Sequence, residues 1–183
     1  MITPIIDRLR RKSITKAAHH LGKMGYIRGK EGNISGRHSY TIWITPHNSD
    51  LRRLQLEEII KITDRIPPYA SSETPMHRAI YRKREEIKYI IHIHTVKTLA
   101  LFEKIENPDL WDEVKIYVGN ITVIKPLKPG TEELWKEVSK YAEETDFYIL
   151  KKHGIISTGE NITKSLDRIE IFEKIAEIHL LSK

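Results

Sequence analysis

The stretch Ile90-Ile91-His92-Ile93-His94-Thr95 places two histidines in a run of β-branched residues. Side chains alternate between the two faces of a β-strand, so His92 and His94 point the same way while the flanking isoleucines point into the core. The Cα atoms of two such histidines lie about 6–7 Å apart, given a rise of about 3.3 Å per residue. The stretch predicts a buried strand whose two imidazoles could converge on one metal ion. The alternative for each histidine alone is a hydrogen-bonded residue of the core.

Composition limits the class of protein. The 183 residues are 39% hydrophobic and 31% charged, as in a globular chain that is long enough to bury a core. No apolar run reaches the ~20 residues of a membrane-spanning helix, and the basic segment 1–12 lacks the apolar stretch of a secretory signal, so we expect a cytoplasmic protein. The abundance of Ile, Lys, Glu and Arg without cysteine also resembles the composition of thermophile proteins.

The absence of cysteine restricts metal chemistry, because it excludes disulfides and thiolate ligands. His, Asp and Glu remain as the strong ligands. The net charge of +6 and the pI of about 9.4 make a nucleic-acid-binding domain a hypothesis from a different class. The basic clusters at residues 8–12 and 82–84 are not interleaved with aromatic residues, so we expect them to be solvated helix faces.

Predicted helices and strands alternate along the chain, which indicates an α/β layered domain, with short loops that favour some antiparallel pairing. The predicted helices span residues 3–24, 71–84, 95–104, 131–145 and a C-terminal segment that starts at Asn161 or Thr163. The helical spacing of apolar residues that include Ile169 and Phe172 predicts one buried face on this last helix. The predicted strands span residues 39–45, 59–63, 88–95, 121–124, 147–150 and 155–157. Residues 29–36 are predicted to be a glycine-rich loop, residues 51–58 a short helix or turn, and residues 105–120 irregular. Ser71 or Ser72 is expected to cap the second helix, and Thr131 the fourth.

Candidate site residues lie near the ends of these elements. His153 follows an apolar strand, and Gly154 permits the sharp turn that would project its imidazole. Three neutral imidazoles with an open fourth position are typical of a catalytic zinc site. Glu73 is the best placed carboxylate, because it lies in the first turn of the predicted helix that immediately precedes the histidine strand. The alternative is that an acid in a first helical turn only stabilises the helix dipole.

Two short segments could bind an anion. Ser71 and Ser72 offer hydroxyls at a predicted helix N-terminus, and Gly32-Asn33-Ile34-Ser35 offers a second loop of the same character. Taken singly, each segment is also ordinary turn or capping chemistry.

Together these segments resemble the class II aldolase/adducin family, in order and in approximate spacing, over about residues 5–180. The segments that carry the resemblance are Gly32-Asn33-Ile34-Ser35, Ile44-Thr45-Pro46, Ser71-Ser72-Glu73-Thr74-Pro75-Met76-His77, His92-Ile93-His94-Thr95, Lys128-Pro129-Gly130-Thr131 and His153-Gly154. The resemblance implies a single domain over residues 1–183, with three αβα layers and a mixed, mainly antiparallel sheet. It also implies a four-fold symmetric homotetramer with the active site between subunits.

The resemblance also implies roles for individual residues. His92, His94 and His153 would be the ligands of one zinc ion, with another divalent metal as the alternative. Glu73 would be the catalytic acid/base, and we expect partial burial beside a phosphate to raise its pKa. The implied phosphate-binding residues are Asn33, Ser71 and Ser72.

The implied reaction is the reversible aldol cleavage of a ketose 1-phosphate, such as fuculose 1-phosphate, to dihydroxyacetone phosphate and a small aldehyde. Epimerases of the family carry Asp at the position of Glu73, so glutamate favours lyase chemistry. Dehydratases of the family share the three histidines and stay open as an alternative. Adducin-like structural members lack the histidines. The partner expected is a small sugar phosphate, with neither nucleic acid nor membrane.

One segment departs from the family pattern. His47-Asn48 stands where the aldolases carry Thr-Gly or Ser-Gly in the phosphate loop. We expect Asn48 to adopt the left-handed conformation that glycine would supply, and the bulk of His47 to narrow the pocket. Tyr117 lies in about the region of the proton-donating tyrosine of the family, but the shortened loop here leaves that role unassigned.

Overall fold

A seven-stranded mixed sheet forms the centre of the computed structural model, which describes residues 3–105 and 112–182. The order across the sheet is β3-β2-β1-β4-β7-β6-β5. Neighbouring strands are antiparallel except β5 and β6, which are parallel. The strands are β1 (Asn33–His38), β2 (Thr41–Ile44), β3 (Ile60–Ile62), β4 (Tyr89–Ile93), β5 (Ile121–Ile124), β6 (Phe147–Leu150) and β7 (Gly154–Gly159).

Six helices cover the two faces of this sheet within the described residues. They are α1 (Pro4–Lys23), α2 (Thr74–Lys83), α3 (Val96–Lys104), α4 (Asp112–Tyr117), α5 (Glu132–Lys140) and α6 (Ile162–Leu181). Side chains of α1, α3, α4 and α6 pack in one core with Ile91 and Ile93 of β4, whereas α2 and α5 pack in a second core with Ile90. The predicted three-layer αβα fold with a mainly antiparallel sheet is therefore confirmed.

Helix caps follow the expected chemistry at three starts. The side chains of Thr3, Thr131 and Asn161 accept hydrogen bonds from backbone N–H groups three residues ahead, at α1, α5 and α6. The apolar face of α6 is buried at Ile169 and Phe172, as predicted. No helix among residues 3–105 and 112–182 combines the length and the apolar character needed to cross a bilayer.

The prediction of a loop over residues 29–36 is wrong, because residues 33–38 form β1. This strand lies between β2 and β4 and pairs with both. Two hydrogen-bonded neighbours outweigh the turn preference of glycine and asparagine. The prediction for residues 39–45 begins too early, since Ser39 has a φ of 51° and turns the chain into β2 at Thr41.

The start of α2 also differs from its prediction. Glu73 occupies the N-cap position, directly after the expected cap residues Ser71 and Ser72, and its side chain makes no capping hydrogen bond. The Ser71 hydroxyl accepts a 3.3 Å hydrogen bond from the Glu73 N–H instead. The Glu73 carboxylate is therefore free to turn toward β4.

Two further boundaries differ. The segment 105–120, predicted as irregular, contains α4, whose Val114 is buried in the core; residues 106–111 lie outside the described residues. The helix predicted over residues 131–145 ends at Lys140 in a turn. Packing against the core decides whether a short helix such as α4 forms and where a helix such as α5 ends. The local sequence pattern contains no information on that packing.

Candidate metal centre

Three histidines meet at one end of β4 and β7. His92 lies in β4, His94 directly follows that strand, and His153 ends the turn between β6 and β7. The Nε2 atoms of His92 and His94 are 3.2 Å apart. The ring centroids of the three pairs are separated by 4.7–5.0 Å, and each pair of ring planes is inclined by 65°. One ligand atom from each ring lies within 4.8 Å of the others.

The antiparallel pairing of β4 with β7 explains this convergence. Ile93 at the end of β4 lies opposite Ile155 near the start of β7. His94, just after β4, and His153, just before β7, therefore lie at the same end of this strand pair. Gly154 makes the approach possible, because a Cβ atom there would lie 2.6 Å from the Ile93 carbonyl oxygen and 2.7 Å from a ring carbon of His94. Glycine was expected at position 154 because it permits the turn that projects His153. The structure adds a second reason for glycine there, which is that β4 lies too close for a Cβ atom.

A hydrogen bond orients the His92 ring, and a carboxylate lies near the His94 ring. His92 Nδ1 donates a 2.8 Å bond to the Ile155 carbonyl oxygen, which leaves the lone pair of Nε2 facing the centre. His94 Nδ1 lies 3.5 Å from the Glu31 carboxylate. His153 Nδ1 is buried without a hydrogen-bond partner among the described residues.

Glu73 reaches the same centre from α2. Its Oε2 atom lies 3.0 Å from His92 Nε2 and accepts a 2.8 Å hydrogen bond from Asn33 Nδ2, and its Oε1 atom lies 3.5 Å from His153 Nε2. The side chain is buried, and burial alone would raise its pKa. The charges of His92 and His153 and the hydrogen bonds outweigh burial and hold the pKa of Glu73 well below its usual range. The expectation of a raised pKa is therefore wrong, because the facing imidazoles favour the carboxylate.

The imidazoles differ in protonation. Burial and the charge of His92 lower the pKa of His94 to about 3 and that of His153 to about 4. Burial also disfavours a charged His92, but the Glu73 carboxylate outweighs it and raises the pKa of His92. At neutral pH His94 and His153 are therefore neutral beside an ionised Glu73 carboxylate, whereas the raised pKa of His92 favours its protonated form. A divalent cation requires neutral imidazole ligands, so its binding would displace the extra proton of His92.

The donor set fits a divalent metal ion. Two nitrogen ligands at about 2.0–2.1 Å from a tetrahedral zinc ion lie about 3.4 Å apart, close to the 3.2 Å between His92 Nε2 and His94 Nε2. Glu73 Oε1 is buried without a hydrogen-bond partner among the described residues, although it faces His153. A bound cation would supply the partner that this oxygen lacks.

A cavity of about 220 Å³ opens beside the histidines. Its lining includes His94, His153, Glu73, and the predicted phosphate-binding residues Asn33, Ser71 and Ser72. The structure thus brings the predicted metal, catalytic and phosphate residues to one place. Asn33 is 5% exposed, and its amide Nδ2 donates a hydrogen bond to Glu73. A larger cavity, about 510 Å³, lies between the β1–β2 turn and α2 and contains none of these residues.

The same cavity is lined by residues that the sequence did not single out. Lys30 and Glu31 lie on its wall, and the Glu31 carboxylate accepts a 2.7 Å hydrogen bond from the Arg28 N–H. Glu31 lies in the segment between Gly29 and Gly32, where an acid matches no functional motif, so sequence patterns could not identify it as a site residue. His47 and Asn48 also line the cavity, and the φ of 56° at Asn48 confirms its expected left-handed conformation. Tyr117 is exposed at the end of α4 and outside this lining.

Comparison with known proteins gives consistent matches over nearly the whole chain. A family model described as Class II Aldolase and Adducin N-terminal domain matches residues 12–180. A Methanococcus maripaludis protein named L-fuculose phosphate aldolase is 34% identical over 173 residues, with 91% of this chain and 93% of that protein covered. A Pectobacterium atrosepticum protein named 3-oxo-tetronate 4-phosphate decarboxylase is 28% identical over 184 residues and covers 92% of this chain and 82% of its own length. The crystal structure of L-fuculose-1-phosphate aldolase from Thermus thermophilus superposes with a TM-score of 0.86 at 25% identity, with 96% of this chain and 95% of that one covered.

Proposed function

The chain belongs to the class II aldolase and adducin family, and from this membership we propose that it is a metal-dependent aldolase. The proposed reaction is the reversible cleavage of a ketose 1-phosphate, such as fuculose 1-phosphate, to dihydroxyacetone phosphate and a small aldehyde. The observation that carries the proposal is the convergence of three histidines on a buried carboxylate. A purely structural family member would have no use for such a costly arrangement.

His92, His94 and His153 would hold one divalent cation per subunit, and the proposed ion is zinc. Three neutral imidazoles with an open position suit zinc best, with manganese or cobalt as alternatives. When bound, such a cation acts as a Lewis acid toward the carbonyl and hydroxyl oxygens of a sugar. Because this chemistry replaces a Schiff base, no lysine is required.

Glu73 is the proposed catalytic acid/base. In cleavage, the substrate hydroxyl that becomes the aldehyde loses its proton to solvent, and the electron pair of the broken carbon–carbon bond passes to the three-carbon half. Glu73, after taking up a proton from solvent, would deliver it to the carbon next to the carbonyl. In the direction of synthesis it would remove that proton. The lowered pKa of Glu73 supports its role as a proton acceptor in the direction of synthesis, because the carboxylate is ionised at neutral pH before substrate arrives.

Asn33, Ser71 and Ser72 are proposed to bind the substrate phosphate. Their support is the shared cavity, in which Ser72 is exposed beside Gly130 at the N-terminal end of α2. Lys30 adds a cation to the same lining. Phosphate is favoured by backbone N–H groups at a helix start and by nearby positive charge.

Decarboxylation of a phosphorylated oxo acid is a second candidate from the same family. It is favoured by the relative from Pectobacterium atrosepticum that bears the name of such an enzyme. Loss of carbon dioxide also leaves negative charge beside a carbonyl, so the same residues would serve it. Epimerisation and dehydration of sugar phosphates remain alternatives within the same chemistry.

A nucleic-acid-binding role has less support, because part of each basic cluster is engaged within the chain. Arg11 pairs with Asp7, and Arg84 pairs with Glu86 and with Asp146. We therefore propose a sugar phosphate as the partner and neither nucleic acid nor membrane. A cytoplasmic location and a homotetramer with the site between subunits are further parts of the proposal. Exposed Ile116 and Tyr117 on α4 are consistent with a subunit interface.

The test combines metal analysis with a substrate screen. The purified protein is analysed for bound metals, stripped with chelator, reloaded with Zn²⁺, Mn²⁺ or Co²⁺, and assayed with fuculose 1-phosphate, ribulose 1-phosphate and phosphorylated 3-oxo acids. We expect cleavage that disappears on stripping and returns with one of the ions. Cleavage at full rate by the stripped protein would refute the metal-dependent mechanism, and a gel shift that weakens steeply with salt would favour nucleic acid.

A further inference from the structure

A ladder of polar contacts joins α2 to β1 behind the metal centre. On α2 and its N-cap, the participating residues recur every four positions, and on β1 they recur every two. The polar ladder consists of Glu73, His77 and Tyr81 on the helix side and Asn33, Ser35 and Arg37 on the strand side. Four helical residues advance about 6 Å and two strand residues about 6.6 Å, so the two series stay in step over three contacts.

Each rung of the polar ladder is a hydrogen bond. Asn33 Nδ2 donates to Glu73 Oε2 at 2.8 Å. Ser35 Oγ is hydrogen-bonded to His77 Nδ1 at 2.7 Å and to the Tyr81 hydroxyl at 2.8 Å. Arg37 Nη1 then donates to the Tyr81 carbonyl oxygen at 2.8 Å. The Ser35 hydroxyl therefore makes hydrogen bonds to side chains on two successive turns of α2 and links both turns to β1.

The middle rung is buried and uncharged. Ser35 and His77 are fully buried, and Tyr81 is 3% exposed. Burial and the charge of His92 lower the pKa of His77 to about 3, and burial raises the pKa of Tyr81. Neither group changes charge near neutral pH, so the contribution of this rung is geometric. Buried polar groups that are satisfied in one arrangement only specify that arrangement.

We propose that Ser35 and His77 are positioning residues that hold α2 at the height over β1 at which the Glu73 carboxylate meets the three histidines. The assignment rests on the proposed proton-transfer role of Glu73. Glu73 sits at the helix start with no capping hydrogen bond of its own side chain, so its place along the strand follows the place of α2. Without the middle rung, the polar ladder would keep only its two end contacts, from Asn33 to Glu73 and from Arg37 to the Tyr81 carbonyl oxygen.

Positioning and metal binding are separable here, because the three histidines lie on or beside β4 and β7 and none lies on α2. A shift of α2 would move Glu73 and leave the imidazoles in place. A displacement of about 1 Å in a reacting group can cost about 100-fold in rate. The assignment therefore predicts a loss of turnover without a loss of metal affinity.

The kinetic test uses Ser35→Ala, which removes the shared oxygen, and His77→Leu, which removes the ring nitrogen at similar size. We expect kcat to fall about 10–100-fold, with KM for the cleaved sugar phosphate and the affinity for Zn²⁺ unchanged. His77→Asn, whose amide can reach the place of Nδ1, should restore most of the turnover. Tyr81→Phe, which keeps the ring, should cost only a few-fold. Ser157→Ala is the matched control, since Ser157 is equally buried but donates to the Ser165 carbonyl oxygen on the opposite face of the sheet.

Unchanged kcat in folded Ser35→Ala and His77→Leu would overturn the assignment. Joint loss of kcat, metal affinity and folding would overturn it as well, because it would show a general structural role. A second readout needs no substrate: Co²⁺ is titrated into the stripped protein, and its visible absorption reports the groups around the ion. We expect the Ser35→Ala spectrum to move from the unaltered spectrum toward that of Glu73→Gln. A Ser35→Ala spectrum identical to the unaltered one refutes the assignment, whereas absence of cleavage by the unaltered protein refutes only the proposed function.

Discussion

Glu73 Oε2 lies 3.0 Å from His92 Nε2, and both side chains are buried between α2 and β4. The contact joins the Glu73 carboxylate to His92, the imidazole of the three whose pKa is raised. It therefore couples the proposed acid/base to the proposed metal ligands.

Loss of a proposed ligand should remove the metal. We expect His153→Ala to lower the affinity for Zn²⁺ by more than about 100-fold, because loss of a residue that merely orients a ligand already costs about 10–100-fold. The measurement is metal content per chain together with competition against a chelator. His20→Ala is the control, since His20 is a partly exposed histidine that pairs with Glu170 on the surface. Equal metal content in both variants would contradict the ligand assignment.

Glu31 should support the metal through His94. Its carboxylate lies 3.5 Å from His94 Nδ1, so it can fix the ring with Nε2 directed at the centre. We expect Glu31→Ala to weaken Zn²⁺ binding about 10-fold and Glu31→Gln, which keeps an acceptor, to weaken it less. Glu57→Ala, at an exposed acid of a short helix, is the comparison. A chelator titration of all three variants that gives one common affinity would refute this role.

Glu73→Gln should separate chemistry from metal binding. The amide keeps the shape of the carboxylate but cannot carry a proton, so we expect kcat to fall about 10²–10⁴-fold while the zinc content is retained. Single-turnover cleavage of the best substrate, at matched metal loading, is the measurement. Full activity in this variant would remove Glu73 from the mechanism.

Buried His77 should make stability depend on pH. Because its pKa falls to about 3 in the folded chain, the unfolded chain binds one more proton between about pH 4 and 6. The free energy of unfolding should therefore decrease as pH falls through this range, by up to about 1.4 kcal/mol per pH unit from this residue. Urea unfolding of stripped protein should show a correspondingly shallower dependence for His77→Leu. Parallel pH dependences in the two proteins would contradict the assignment of a neutral buried imidazole.

Gly154→Ala should disturb the fold and the centre together. The added Cβ would lie 2.6 Å from the Ile93 carbonyl oxygen, which is backbone and cannot move aside. We expect a loss of about 1–3 kcal/mol in the free energy of unfolding and weaker Zn²⁺ binding. Gly22→Ala is the contrast, because the nearest atom to its Cβ would be Arg52 Cγ at 2.8 Å, in a side chain that is 44% exposed and can shift, while the backbone of Arg52 lies 3.4 Å away. Thermal unfolding with and without Zn²⁺ measures both effects, and equal stability of the two variants would show that β4 and β7 can separate.

The local sequence predicted those features that depend on the periodic spacing of apolar residues and on residues that begin or end helices and strands. Alternation in residues 90–93 predicted β4 and the two faces of its isoleucines, because successive side chains of a strand must point opposite ways. The helical spacing of Ile169 and Phe172 predicted the buried face of α6. The segments shared with the family predicted which histidines and which carboxylate would meet.

Partners that are distant in the chain were beyond local pattern. β1 became a strand because β2 and β4 lie on either side of it, against the preference of its glycine and asparagine. The pKa of Glu73 was expected to rise with burial, but the facing imidazoles lower it. Glu31 reached His94 from a loop whose composition indicates only a turn.

The sequence by itself determined most of the elements, the buried faces of β4 and α6 and the residue types available to bind a metal, since these follow from periodicity and side-chain chemistry, whereas β1 and α4 depended on packing. Only the tertiary structure decided which atoms meet. Asn33 and Glu73 stand 40 residues apart, and their hydrogen bond exists because α2 packs over β1 in one register. The distance between such groups, and hence the charge that each carries, depends on that packing and is not encoded in either segment alone.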